Sequence, residues 1–118
     1  MANSLSEITL VRGDTEPLTL KFWADRKAGT AYDLSDVTSA VLTADPEKDP
    51  ADATNNLFSL TGTIADPTSG IITFSISESE ADIEPGTYYY DVQFIKAGGY
   101  KKTPIKDKFI VTQDITKA

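Results

Sequence analysis

Hydrophobic and polar residues alternate with a period of two through most of this chain, the spacing that puts side chains on opposite faces of an extended strand. The longest such run follows Pro85-Gly86. There Tyr88, Tyr90, Val92 and Phe94 share one face, and Tyr89, Asp91, Gln93 and Ile95 share the other. Pro85-Gly86 before it and Ala97-Gly98-Gly99 after it are turn signals, so the pattern predicts a central strand with the first set facing a core.

The rest of the chain repeats this on a shorter scale. Weak alternation over Ser6–Arg12 predicts a first strand that ends in a turn at Gly13-Asp14. From Pro17, Leu18, Leu20, Phe22 and Ala24 oppose Thr19, Lys21 and Trp23, which predicts a core strand. Gly29 marks the tight point of the polar loop 25–31, after which Tyr32 and Leu34 are expected to tuck under the end of the core. Val37–Ala44 reads as a strand whose facing is open, because Val37 and Val41 fall on one side and Ala40 and Leu42 on the other. Residues 45–56 hold two prolines, four acids and no large apolar side chain, too little burial to offset ordering entropy, and predict a mobile loop.

Leu57–Ile64 resumes the alternation with Phe58, Leu60 and Gly62 on one face. Gly70 is placed to supply a positive φ before the cleanest apolar row, Ile72, Phe74 and Ile76. Ser77–Ile83 can make one helical turn before Pro85 stops it. Gly98-Gly99 predicts a hairpin into Tyr100–Thr112, with Phe109 and Val111 inward and Pro104 at an edge or a bulge. About seven short strands with almost no helical periodicity point to an all-β antiparallel sandwich in one domain spanning 1–118.

Composition narrows the chemistry. The formal charge of −7, from 18 acids against 11 bases, argues against a nucleic-acid surface, since the densest basic spot is only Lys101-Lys102. With no cysteine the fold has no disulfide, and with neither cysteine nor histidine no Ser-His or Cys-His nucleophile can be assembled. The start Met1-Ala2-Asn3-Ser4-Leu5 lacks the basic and apolar regions of a signal peptide, and no apolar run is long enough to span a bilayer. A protein without catalytic residues, cofactor or metal is expected, with no membrane partner.

Glu84-Pro-Gly-Thr-Tyr88-Tyr-Tyr90 resembles the corner of immunoglobulin-like domains, with Tyr88 in the tyrosine-corner place and Tyr90 where a disulfide cysteine would stand. A likeness over nearly the whole chain runs through Val11-Arg-Gly-Asp-Thr15, Asp33-Leu-Ser-Asp36, Ser69-Gly70-Ile-Ile-Thr-Phe74 and the ending Lys108-Phe-Ile-Val-Thr-Gln-Asp-Ile-Thr116. In these it is similar to the immunoglobulin-like domains of bacteriophage tail and baseplate proteins, in particular the N-terminal domain of baseplate upper proteins. That resemblance implies a non-catalytic structural part of a phage or prophage virion, assembled in the host cytoplasm. It would dock on other particle subunits, copies of itself being among the candidates.

Particular residues offer sharper readings. Arg12-Gly13-Asp14 spells an adhesion tripeptide, although Gly-Asp after a strand is also an ordinary turn. The acids of Asp45–Asp52, or Asp33 with Asp36, lack the ligand spacing of a calcium loop. Glu78, Glu80 and Asp82 sit in a polar segment unsuited to a glycosidase dyad. Tyr89, Ile95, Ile110 and Trp23 are the candidate partner surface, because aromatic and branched residues pointing outward are what interfaces enrich. Trp23 with Tyr89 or Tyr32 gives the alternative, a sugar-stacking platform in a carbohydrate-binding or adhesion module.

Overall fold

The computed structural model describes residues 7–25, 27–48, 50 and 56–113. Half of the expected mobile loop 45–56 lies outside them. In chain order the elements are β1 (Ile8–Val11), β2 (Leu18–Lys21), β3 (Trp23–Asp25), β4 (Thr30–Ala31), β5 (Val37–Asp45), β6 (Phe58–Thr63), β7 (Ile71–Phe74), α1 (Glu78–Ala81), β8 (Gly86–Lys96) and β9 (Lys101–Thr112). The main sheet runs β1-β9-β8-β5-β6-β7-β2, and β3 and β4 form a separate two-stranded ladder. The architecture is the expected all-β, immunoglobulin-like sandwich without a disulfide.

The two layers are joined through β6. Its first part, Phe58–Thr61, pairs with β5, and Gly62-Thr63 then pairs with β7. Gly62 marks the crossing because it lies against Ile72 and Phe74. A Cβ there would stand 2.4 Å from Ile72 Cγ2 and 2.7 Å from Phe74 Cε2. The layers enclose one core that includes Leu10, Leu42, Leu60, Ile72, Phe74, Val92, Phe94 and Phe109. Phe22 meets Phe94 edge-on at 5.0 Å between ring centroids, and Phe58 meets Phe109 at 5.7 Å. Such pairs favour one arrangement of the core over others of equal area.

The central strand is β8. Tyr90, Val92 and Phe94 are buried, while Tyr89, Asp91, Gln93 and Ile95 lie half-buried on the outer face. Tyr88 is half-buried, and its hydroxyl donates to the Glu84 carbonyl at 2.5 Å, the hydrogen bond that defines a tyrosine corner. The predicted tuck is present: Leu34 is fully buried, and the Tyr32 ring packs 5.7 Å from that of Phe94. Gly29 and Gly70 both take positive φ. The predicted helical turn is α1, closed by a capping box in which Ser77 accepts from the Glu80 backbone and Glu80 from the Ser77 backbone.

Three details differ from the alternation pattern, and the bulge expected at Pro104 is present. The single strand expected over Pro17–Ala24 is two, because at Phe22 the backbone leaves the β7 ladder to bond Gly70 and Tyr32. A register shift between Val37 and Ser39 turns Val37 inward with Ala40, Leu42 and Ala44, which leaves Val41 outward. Pro104 lies in a bulge: Val92 pairs with Ile105 but Phe94 with Lys102, so β9 carries one residue more than β8 there. Finally, β1 runs parallel to β9, Ile8 opposite Phe109 through Val11 opposite Thr112, so the sandwich is mixed rather than wholly antiparallel.

Candidate functional site

The outer face of β5, β8 and β9 is hollowed into an open cleft of about 650 Å³. Strand geometry supplies its floor. Val41 pairs with Gln93, Thr43 with Asp91, and Asp91 in turn with Lys106, so these side chains stand in rows across three strands. Tyr89 extends the β8 row, opposite Asp45 on one side and Lys108 on the other.

Asp45 shapes the far wall. At 5% exposure it is the buried charged residue among those described, and its carboxylate accepts from Glu47 N at 2.8 Å and from Asn56 Nδ2 at 2.7 Å. Those two bonds tie Glu47 and Asn56 to the end of β5, and both residues line the cleft with Lys48 and Pro50. The expectation that the mobile loop begins at Asp45 is thus corrected at that residue, which ends β5 and is buried. A buried carboxylate needs donors, and here one backbone and one side-chain amide supply them.

Charge is distributed unevenly over the cleft. Asp45, Glu47 and Asp91 contribute carboxylates, Lys106 stands on the β9 side, and Lys48 lies on the rim. Burial raises the Asp91 carboxyl above its ordinary value, and the Lys106 ammonium opposes that rise. Beneath the floor, the Tyr90 phenol is pushed strongly up by burial and then by the charge of Asp107.

The four candidate partner residues do not form one patch. Tyr89 lines the cleft, and Ile110, opposite Thr87, is its diagonal neighbour on the same face. Ile95 shares that face further along β8, where its carbonyl accepts from Thr38 Oγ1. Trp23 belongs to the β3–β4 ladder, with the Lys21 ammonium 4.3 Å from its ring centre. Tyr32 is engaged as well: its ring packs on Phe94, Lys102 lies 5.3 Å from its centre, and its hydroxyl accepts from Lys96 Nζ at 2.9 Å. That hydrogen bond raises the Lys96 pKa. The stacking platform of Trp23 with Tyr32 or Tyr89 is therefore not assembled, because lysines take the ring faces of the first two and Tyr89 stands in the cleft.

The other motifs resolve into local structure. Arg12-Gly13-Asp14 is a turn, with Gly13 at φ 86° and Asp14 N bonded to the Val11 carbonyl, and Arg12 pairs with Asp82 at 2.8 Å. Asp33 accepts from both the backbone and the hydroxyl of Ser35, which holds its carboxyl below the ordinary value. Glu80 serves the α1 cap. Sequence reasoning missed the cleft itself. Its one advance signal was that Tyr89, Asp91 and Gln93 alternate with the core row of β8.

No family model matches this chain, and no curated protein matches it. Among solved structures, that of CopC from Methylosinus trichosporium OB3b is similar, with a TM-score of 0.52 at 10% sequence identity, covering 95% of this chain and 89% of that one. At that identity the likeness carries the fold. The expected role as a virion part of the tail or baseplate is corrected on this finding, and the virion location that depended on it is left without support. Among the described residues no helix is long and apolar enough to cross a membrane.

Proposed function

We propose that this chain is a non-catalytic binding module that receives its ligand in the cleft on the outer face of β5, β8 and β9. The observation that carries this reading is the combination in one concavity of an aromatic ring, Tyr89, with the polar groups of Thr43, Asp91, Gln93 and Lys106. At its edge the buried Asp45 bonds Glu47 and Asn56, both of which line the concavity. Ligand sites are concave, with a few polar groups placed against apolar or aromatic surface.

A copper site does not fit the residues. Copper is held by imidazole nitrogen or by thiolate and thioether sulfur. This chain has no histidine, no cysteine and one methionine, Met1. Among the described residues no group of three or more aspartates and glutamates is placed to hold a metal either.

The test is an amide chemical-shift map of the labelled protein against a library of small polar fragments. Shifts should concentrate at Val41, Thr43, Tyr89, Asp91 and Gln93, and Tyr89→Ala should abolish them without changing the melting temperature. Fragment shifts that scatter over other faces and ignore Tyr89→Ala would overturn the proposal.

A further inference from the structure

The charge pattern of the cleft allows its ligand to be specified, resting on the reading just given. From the β5 side to the last strand the charged groups run Asp45 and Glu47, with the single cation Lys48 beside them, then Asp91, then Lys106, with Lys108 next to it on the outer face of β9. Adjacent strands lie about 4.8 Å apart, so β5 and β9 are separated by about 10 Å. The face therefore turns from negative to positive within the length of a few residues of extended chain. Tyr89 stands beside this gradient, opposite Asp45 and Lys108.

We propose that the cleft binds an extended peptide segment of a partner protein that carries a basic and an acidic side chain two positions apart. The basic group lies over Glu47 and Asp91, and the acidic group over Lys106 and Lys108. Side chains at i and i+2 of an extended peptide project to the same side about 7 Å apart, between the one-strand step of about 4.8 Å from Asp91 to Lys106 and the two-strand step of about 10 Å from β5 to β9. A guanidinium suits the first place, since it can stack on the Tyr89 ring while its N–H groups reach a carboxylate. Asp91 is half-buried and faces Lys106 across the ladder, so an incoming cation supplies a second partner to a carboxylate with little water around it. The intervening residue lies against Val41 and Thr43. A uniformly acidic segment is repelled by the chain's charge of −7, and a uniformly basic one leaves a cation facing Lys106 and Lys108.

The experiment uses four end-blocked hexapeptides of equal length, Arg-x-Glu, Arg-x-Arg, Glu-x-Glu and Gln-x-Gln at the central positions, titrated into the whole chain by calorimetry. The Arg-x-Glu peptide should bind at least tenfold more tightly than the other three. Lys106→Ala should weaken Arg-x-Glu about tenfold while leaving Arg-x-Arg unchanged or tighter, and Asp91→Asn should weaken both peptides that carry arginine. Both side chains sit on the outer face, and circular dichroism melts confirm that the variants fold. Equal affinity of Arg-x-Arg and Arg-x-Glu, or indifference to Lys106→Ala, overturns the charge-pair ligand. If fragments still map to the cleft in that case, the binding-module reading stands without it, whereas a cleft silent to both fragments and peptides removes both.

Discussion

Replacing Gly62 by alanine tests the join between the two layers. Gly62 is a strand residue whose backbone does not need a positive φ, so a glycine-to-alanine change would by itself stabilise by about 0.4–1 kcal/mol through the unfolded chain. The structure reverses that sign. The new Cβ would stand 2.4 Å from Ile72 Cγ2 and 2.7 Å from Phe74 Cε2, and both neighbours are fully buried with no route outward. Overpacking of this kind costs about 1–3 kcal/mol, so the net expectation is a loss of about 1–2 kcal/mol. The decisive measurement is a double-mutant cycle with Ile72→Ala, which removes the atom nearest the new methyl. Alone, Ile72→Ala should cost about 2–5 kcal/mol. Combined, the two should cost at least about 1 kcal/mol less than their sum, because the alanine methyl fills part of the space left by the isoleucine. Urea unfolding followed by circular dichroism gives all three values, and an unchanged slope against denaturant guards the comparison. Additive losses, or a Gly62→Ala protein as stable as the parent, would refute the account of how β6 crosses between layers.

Other expectations are independent of that one. Tyr88→Phe keeps the ring and removes the donor to the Glu84 carbonyl, so unfolding should show a loss of about 1 kcal/mol; no change would mean that the corner bond contributes nothing. Asp91 has a raised carboxyl, so its charged form disfavours the folded state at neutral pH, and that penalty disappears as pH falls to the ordinary value of 3.8. Asp91→Asn should therefore gain on the parent in urea midpoint at pH 7 and lose that advantage near pH 3, whereas a gap independent of pH would contradict the burial argument. The edge of β9 over Lys101–Lys108 extends beyond the reach of β1, which covers only Phe109–Thr112, and it carries Lys101, Lys102, Lys106 and Lys108 with Pro104. Lysine and proline are what keep exposed edges from pairing with other chains. Replacing the four lysines by threonine should produce association beyond that of the parent, visible by analytical ultracentrifugation, and a variant no more associated than the parent would mean the edge is guarded by the bulge alone.

Much of this architecture is legible in the residues, for a definite reason. Where one face of a strand is wet and the other dry, as in β7 and β8, a period of two must appear, and Ile72, Phe74, Tyr90, Val92 and Phe94 were placed by it. The α1 turn follows from Ser77 and Glu80 at capping-box spacing. Bulges break the rule. The shift at Val37 moves one residue to the other face without any local mark, and the departure of Phe22 from the β7 ladder depends on carbonyls at Gly70 and backbone at Tyr32 that are distant in sequence. The cleft was hidden for the same reason, since Thr43, Asp91 and Lys106 meet only through register. The phage resemblance rested on turns and strand beginnings such as Val11-Arg-Gly-Asp and Ser69-Gly70-Ile-Ile-Thr-Phe. These residues follow the needs of sandwich geometry, so they report architecture and carry no information about role.

The parallel pairing of β1 with β9 has a consequence for how the molecule comes into being. Ile8 cannot meet Phe109 until the residues between them have left the ribosome, and at roughly 5–20 residues per second that is a delay of several seconds or more. Closing so long a loop is entropically slow, and the pairing is rewarded only after the strands between have found their places. Synthesis thus imposes an order in which the amino-terminal strand, made first, is seated last.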